Sequence, residues 1–391
     1  MKTNNILKLS LINFFSSLYF YLPIITLWYQ SHGLRLVEAG TLAGLGTITI
    51  FLTTIFTGVF ADRYGRKKAI IFSLFFQLVG EVLFLVSNSF ILFAICSISA
   101  GLGFSFWGGA FDSMIIESLK EEGKENQIQK VSGSIASFKG FSTLLGAGAS
   151  SIIVSQLSQA RFIIAILMTI GTVATAFLIS LFLREPKITE RHKILNPKEL
   201  LYQSLTILRE NYKLRRIVLL GILTTPFTAY LITFYQPYFV NLGIKGYWFG
   251  IAYAIGGSLA ILASRSAYLV ERKLGATHAL LLFTILPGIF FGLMALNSLA
   301  WLAIILFCLN YGSAVLQAPL FTDYTNRHIS SESRATVLSF IGMISSFYIA
   351  IMGPVIGKIA DLSISAAFIF MGSVIVFGAI VFRVKEEHIN V

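Results

Sequence analysis

Charged residues are scarce in this sequence, at 12% of its 391 residues against roughly 25% in ordinary soluble domains. It has two cysteines, Cys96 and Cys308, in opposite halves of the chain, which excludes a disulfide framework and a CxxC metal pair. The five histidines fall in loops or near the ends of hydrophobic segments, so neither a histidine proton relay nor a metal cage is indicated. A G-x-x-x-x-G-K-S/T loop is also absent, which excludes nucleotide hydrolysis by that route. We therefore expect no enzymatic activity, no metal and no cofactor.

Hydrophobic residues make up 56% of the chain, and the mean hydropathy is +0.79. They occur in runs of about 20 residues, the length that crosses a bilayer as a helix. We therefore predict an all-α membrane protein with twelve transmembrane helices. The twelve predicted spans cover residues 9–30, 38–61, 69–87, 91–111, 131–155, 162–183, 215–240, 247–269, 279–296, 299–321, 335–359 and 365–383.

The net charge of +12 has to be interpreted by location, because cytoplasmic loops of membrane proteins are enriched in Lys and Arg. With twelve spans both termini share one side. That side holds 24 of the 30 basic residues and the other side holds four. We therefore expect both termini in the cytoplasm, a location in the bacterial cytoplasmic membrane, and no nucleic-acid partner.

The two halves of the sequence resemble each other at an offset near 210 residues. Asp62-Arg63 recurs as Glu271-Arg272, and Phe111-Asp112 recurs near Thr322-Asp323. This pattern indicates an internal duplication with parallel orientation. We predict an N-terminal six-helix bundle, a cytoplasmic linker and a C-terminal six-helix bundle, at residues 1–183, 184–214 and 215–391.

The linker carries the signals of an amphipathic helix. Asn196 is the predicted N-cap, Pro197 the first helical residue and Glu199 the third. An apolar stripe follows, made of Leu200, Leu201, Leu205 and Leu208. We interpret this helix as a strap that positions the two halves, with a regulatory lipid or partner site as the alternative.

The strongest motif lies after the second predicted span and reads Gly58-Val-Phe-Ala-Asp62-Arg63-Tyr-Gly65-Arg66-Lys67-Lys68. In physical terms, Gly58 permits close helix packing, Gly65 permits a tight turn, and Asp62 can cap a helix or hold an arginine. The motif resembles the loop 2-3 signature of the major facilitator superfamily of secondary transporters. A degenerate copy stands at residues 271–275.

The resemblance implies twelve helices in two pseudo-symmetric six-helix halves and transport by alternating access. It also implies a central cavity with walls from spans 1, 4, 7 and 10, together with 2, 5, 8 and 11. Asp62 would meet residues 333–336, and Glu271 would meet Ser132 and Gly133, closing the cytoplasmic side. The expected gate residues are Gly58, Asp62, Arg63, Gly65, Arg66, Lys67, Glu117, Glu271 and Arg272.

Two marks of the family's drug antiporters are missing. Ser97 stands where many of them have an arginine, four residues before Gly101-Leu-Gly103. The fifth span lacks the Gly-Pro-x-x-Gly sequence, which occurs in span 11 at residues 353–357 instead.

Ionisable residues in hydrocarbon are costly, so each one is a candidate functional group. Glu81 and Asp112 are the predicted proton carriers, because a buried carboxyl group can exchange a proton near neutral pH. A structural tie between spans 3 and 2 is the alternative role of Glu81. Lys139 and Arg265 are predicted to bind an anionic substrate, or alternatively to form a salt-bridge gate with Asp112, Glu117 and Glu271.

Polar and aromatic residues of the cavity-lining spans complete the predicted site, since tyrosine rings can stack on a planar or amphipathic ligand. The further predicted substrate-binding residues are Asn13, Ser17, Tyr21, Trp28, Thr228, Tyr235, Gln236, Asn310, Tyr311 and Gln317.

The sequence therefore predicts a monomeric, proton-coupled secondary transporter that exports amphipathic compounds. Its expected partners are a small-molecule substrate, protons or another coupling ion, and membrane lipids. One alternative is transport of an anionic metabolite, such as a carboxylate or a siderophore, bound by Lys139 and Arg265. Another is a non-transporting receptor or a lipid flippase.

Overall fold

The computed structural model describes residues 4–187, 197–330 and 333–389, except for the side chains of residues 197–201, 203, 335 and 336. All regular structure in these ranges is helical, and most of it forms twelve membrane segments, numbered 1 to 12 along the chain. The helical elements outside these segments are Glu125–Gln127, the linker helix Pro197–Glu210 and Glu386–Ile389. Segments 1 to 6 comprise Asn5–Ser16 with Leu22–Ile24 and Ile25–Ser31, Leu36–Tyr64, Arg66–Val86, Phe90–Trp107 with Ala110–Glu121, Ile128–Ile153, and Gln159–Leu181. Segments 7 to 12 comprise Tyr212–Thr224 with Phe227–Asn241, Tyr247–Leu274, Ala276–Leu296, Ala300–Ala314 with Gln317–Arg327, Arg334–Leu362, and Ile364–Val381.

Ten of the segments in the described ranges are long and apolar enough to cross a membrane. The other two are segment 1, which is interrupted at residues 17–21, and segment 5, which carries two lysines and six serines. Both lie where the sequence predicts the first and the fifth spans. The predicted all-α fold with twelve transmembrane segments is confirmed.

Four segments are broken within their length, and these are segments 1, 4, 7 and 10. Proline explains two breaks, since Pro23 lies in the short turn of segment 1 and Pro226 lies at the break of segment 7. Segment 4 breaks at Gly108-Gly109, where Gly109 has a φ of +39°. Segment 10 breaks just before Pro319. The broken segments are four of the eight that the family resemblance assigns to the cavity.

The first compact unit comprises Met1–Leu34 and Leu45–Ile194. Its core is built from buried aliphatic residues of segments 1, 3, 4, 5 and 6, among them Leu9, Leu74 and Met114. Small residues bring the segments into backbone contact. A Cβ on Gly103 would lie 2.9 Å from the Ser73 carbonyl oxygen.

The second compact unit comprises Arg35–Gly44 and Leu195–Val391. The first turns of segment 2 belong to it because they pack against segment 11, where Gly40 and Gly353 bring the two backbones together. The Asp361 carboxylate caps segment 2 by accepting hydrogen bonds from the N–H groups of Leu36 (2.7 Å) and Val37 (3.2 Å).

The linker contains a helix at Pro197–Glu210, where the sequence predicts one. Leu208 is buried against Val218 and Phe340 of segments 7 and 11. Leu205, expected on the same apolar stripe, is 55% exposed, so the stripe is narrower than predicted. Asn196 and the side chains of Glu199, Leu200 and Leu201 lie outside the described residues.

Candidate functional site

A carboxyl group is buried in the first unit where segments 1 and 3 meet. Glu81 is 7% exposed, and its Oε1 accepts a hydrogen bond of 2.9 Å from the Tyr21 hydroxyl. Its Oε2 is buried and has no hydrogen-bond partner among the described residues. Tyr21 is the last residue of the break in segment 1, so this bond ties the carboxyl group to the interruption of that segment.

Aromatic packing fixes the Tyr21 ring. It stacks on Phe84, one turn after Glu81, with 4.8 Å between ring centroids. Trp28 donates its indole N–H to the Phe84 carbonyl oxygen at 3.2 Å and is only 1% exposed. Trp28 therefore ties segment 1 to segment 3, and its ring also packs edge-on against His32 with 4.3 Å between centroids.

A cavity of about 470 Å³ lies in the second unit between segments 7, 10 and 11. Thr228 is the one sequence-predicted binding residue that lines it. The remaining lining residues are apolar or carry a hydroxyl group, and they are Ile217, Val218, Gly221, Ile222, Thr225, Pro226, Ala229, Ala318, Phe321, Thr322, Thr325, Ile341, Ser345 and Ile349. None of these described residues carries a charge. The volume lies within the range typical of small-molecule sites, about 300–1,000 Å³.

Tyr235 and the amide residues of the predicted set lie in packed interiors instead. Tyr235 is fully buried and stacks on Phe307 with 4.2 Å between centroids. Gln317 is buried and accepts a hydrogen bond from Thr224 at 3.4 Å. Other buried members are Asn13, which donates to the Ile135 carbonyl oxygen at 3.1 Å, Gln236 and Asn310.

Two predicted residues are partly buried. Tyr311 lies between its neighbour Tyr253, at 5.5 Å between centroids, and Gly256, where a Cβ would approach its ring to 2.7 Å. Ser17 lies at the start of the segment 1 break. Neither lines the 470 Å³ cavity.

Three of the predicted charged residues, one each in segments 4, 5 and 8, are exposed. Lys139, Arg265 and Asp112 form no ion pair within the described part of the chain. The pair that the sequence suggests between Lys139 and Asp112 is therefore not formed. Glu117 and Glu271, the other suggested partners, are engaged within their own units, as follows.

The gate motif forms a charged network at one end of the first unit, where segments 2, 3 and 4 meet. Arg66 donates to Asp62 at 2.5 Å and to Glu117 at 3.3 Å, so Asp62 holds an arginine as predicted. Gly65 adopts a φ of +105°, which confirms the turn. Arg63 is exposed beside the Tyr64 ring.

A carboxylate that the sequence did not single out completes this network. Glu185, just after segment 6, accepts hydrogen bonds from the N–H groups of Arg66 (2.6 Å) and Lys67 (2.8 Å) and so caps segment 3. A Cβ on Gly65 would lie 2.7 Å from the Glu185 carboxyl carbon, so a larger residue there would displace this capping carboxylate. The only available signal was an acidic residue at the end of a span.

The packing role predicted for Gly58 is wrong. A Cβ at this position would meet nothing within 4 Å, and Gly58 instead lines a cavity of about 380 Å³ beside Asp62 and Arg66. In the second copy of the motif, Glu271 accepts a hydrogen bond of 2.8 Å from the Tyr324 hydroxyl, and Arg272 is exposed. Among the described residues, the acidic residue of the second copy therefore accepts a hydrogen bond from a neutral hydroxyl group, whereas that of the first copy forms an ion pair.

Comparison with known proteins identifies the fold and family. A family model described as Major Facilitator Superfamily matches residues 9–354. The chain belongs to the major facilitator superfamily. It is 24% identical over 382 residues to an uncharacterized MFS-type transporter, YxaM of Bacillus subtilis (strain 168), covering 94% of this chain and 93% of that protein. It is therefore a multi-pass membrane transporter of the MFS type.

Solved structures share the fold at low sequence identity. A mutant of the nucleoside transporter NupG superposes with a TM-score of 0.84 and 13% identity, over 97% of this chain and 99% of that one. A POT family transporter in complex with 5-aminolevulinic acid gives a TM-score of 0.72 and 14% identity, over 100% and 97% of the two chains. The human organic anion transporter MFSD10 gives 0.64 and 15%, over 97% and 99%.

Proposed function

We propose that this transporter exports small amphipathic organic solutes from the bacterial cytoplasm by alternating access, acting as a monomer, with proton exchange at Glu81 as the driving step. The observation that carries the proposal is the hydrogen bond between the Glu81 carboxyl group and Tyr21. An ionisable group inside a membrane protein that pairs with a polar side chain is a typical proton relay.

The bond couples protonation to backbone geometry. A carboxylate accepts the Tyr21 hydroxyl more strongly than a protonated carboxyl group does, because charge-assisted hydrogen bonds are roughly twice as strong as neutral ones. Tyr21 lies at the end of the break in segment 1, so protonation of Glu81 loosens one restraint on the position of that segment. A cavity segment that is held in one protonation state and released in the other can couple proton movement to solute movement.

The test is proton movement in proteoliposomes that contain a pH-sensitive dye in their lumen. Addition of a panel of amphipathic solutes is expected to change the internal pH with the wild-type protein. Glu81→Gln, which keeps shape but cannot ionise, should abolish this change, and Tyr21→Phe should weaken it. Glu121→Gln, at an exposed carboxylate of segment 4, is the matched control and should behave as wild type.

Persistence of solute-dependent proton movement in Glu81→Gln would refute the assigned role of Glu81. If the wild type moves solute without any proton movement, proton coupling itself is wrong.

A second candidate is transport of an anionic metabolite such as a carboxylate or siderophore. It is favoured by Lys139 and Arg265, which are exposed and form no ion pair among the described residues. A structural salt bridge would have occupied both of them. Arginine suits bidentate recognition of a carboxylate, and lysine supplies a point charge.

A further inference from the structure

The cavity between segments 7, 10 and 11 has an uncharged described lining. Its described lining contains no carboxylate, lysine or arginine. Moving an ion into such surroundings without a partner costs far more than moving a neutral polar group that keeps its hydrogen bonds. The lining therefore favours an uncharged occupant.

Two of the five hydroxyl groups that line this wall offer an occupant only hydrogen-bond acceptors; the other three belong to Thr225, Thr228 and Thr325. The Thr322 hydroxyl already donates to the Ala318 carbonyl oxygen, and the Ser345 hydroxyl donates to the Ile341 carbonyl oxygen, both at 2.9 Å. Because a hydroxyl group has one hydrogen and two lone pairs, these two oxygens retain only acceptor capacity.

The break in segment 7 adds a further acceptor. Pro226 has no N–H, so it cannot donate the helical hydrogen bond that the carbonyl oxygen of Ile222 would otherwise receive. Both residues line the cavity. In membrane transporters, the carbonyl groups of interrupted helices are used to contact the transported species.

The remaining lining is apolar. Ile217, Ile341, Ile349 and Phe321 surround the cavity, and the Phe321 ring would lie 3.6 Å from a Cβ on Gly221. The absence of a side chain at Gly221 therefore leaves room beside an aromatic ring. An occupant would therefore meet hydrocarbon as well as hydroxyl and carbonyl oxygens that accept hydrogen bonds.

We propose that this cavity binds an uncharged amphipathic solute whose polar end donates hydrogen bonds, as an alcohol or an amide N–H does. Thr322, Ser345 and the Ile222 carbonyl group are the acceptors, and the apolar end of the solute lies against Phe321. The inference rests on the proposed transport function and names the substrate class for it.

The test is calorimetric binding to the purified full-length protein in detergent, with no gradient present. Four probes share one apolar body: 3,3-diphenylpropanol, its methyl ether, 3,3-diphenylpropionate and 3,3-diphenylpropylamine as the ammonium ion. The alcohol should bind about 3- to 10-fold more tightly than the ether, which lacks the donor. Both ions should bind more weakly than the alcohol by at least about tenfold, because each brings an unpaired charge.

Three variants locate the binding. Gly221→Leu fills the cavity and should weaken binding of the alcohol more than about tenfold. Gly292→Leu is the matched control in the same unit, since a Cβ there meets nothing within 4 Å and the residue does not line the cavity. Pro226→Ala supplies an N–H to the Ile222 carbonyl group, so it should narrow the difference between alcohol and ether.

Equal binding of alcohol and ether, tighter binding of either ion, or unchanged binding in Gly221→Leu would each overturn the inference. Thermal unfolding of each variant confirms that it is folded, and Pro226→Ala tests the acceptor argument without filling the cavity. A failure of proton coupling can be told apart from a failure of this inference, because Glu81→Gln should bind the alcohol as the wild type does. Intact binding with no proton movement in the wild type would therefore refute the coupling and leave the substrate class standing.

Discussion

A single added methyl group should have opposite effects at two glycines of segment 5. A Cβ on Gly146 would lie 2.5 Å from the Tyr19 carbonyl oxygen, within the break of segment 1. A Cβ on Gly148, two residues along the same helix, would meet nothing within 4 Å. Both glycines are in a helix interior, so the intrinsic effect of a change to alanine is the same at each.

The expected free energies follow from two opposing terms. Replacing a helical glycine with alanine stabilises by about 0.5–1 kcal/mol, because alanine loses less conformational entropy on folding. Overpacking against a fixed backbone costs about 1–3 kcal/mol. Gly148→Ala should therefore gain the first term alone, and Gly146→Ala should be less stable than Gly148→Ala by about 1–3 kcal/mol.

The assay is equilibrium unfolding of the two purified variants in mixed detergent micelles, with the wild type between them. Proton movement should follow the same order, because displacement of Tyr19 also shifts Tyr21 away from Glu81, and 5.8 Å separates the two tyrosine rings. If Gly146→Ala is as stable as Gly148→Ala, segment 5 does not pack against the break of segment 1, and the reasoning fails.

Two further predictions concern charge. Glu185→Gln should destabilise the protein by about 1–2 kcal/mol, because the amide has one acceptor oxygen where the carboxylate uses two and also lacks the charge that favours a helix N-terminus. Thermal unfolding beside Glu121→Gln checks this, and equal melting temperatures would contradict it. Lys139→Met and Arg265→Met should leave stability nearly unchanged, because neither residue has an ion-pair partner in the described ranges. If carboxylates stabilise the wild type against thermal unfolding, loss of this stabilisation in either variant would support the anion hypothesis. Its survival in both variants would refute that hypothesis.

The sequence predicted those features that depend on composition or on local spacing. Hydrophobic runs of fixed length gave the twelve segments, because a bilayer demands helices that satisfy their own backbone groups. An ion pair between Asp62 and an arginine was also predictable, because the motif places basic residues directly after Asp62, although Arg66 lies on the next helix, beyond the turn at Gly65. The turn at Gly65 followed from the conformational freedom of glycine.

Contacts between distant segments were not predictable in the same way. Glu185 lies 119 residues from Arg66, and no local pattern connects them. The hydroxyl wall of the cavity draws on three segments, and Thr228 was selected only because its segment was expected to line a cavity. Gly58 was assigned to close packing because glycine often serves that purpose, but the same residue type also leaves open space. Which of the two applies depends on the neighbouring segment.

The positions of the four breaks connect the duplication to the proposed mechanism. The breaks of segments 4 and 10, at residues 108–109 and 315–316, are 207 residues apart. The break of segment 7, at residues 225–226, falls 207 residues after residues 18–19, which lie inside the break of segment 1. A glycine pair makes one break, and prolines accompany the others, so the repeated property is the interruption and not the residue that causes it. At the same offset, Tyr21 in the first unit corresponds to Thr228 in the second. Tyr21 bonds to Glu81, whereas Thr228 lines the uncharged cavity. If both proposals hold, the duplicated break contacts the proton site in one half and the solute in the other, and exchange of Tyr21 for threonine should impair proton movement while leaving solute binding intact.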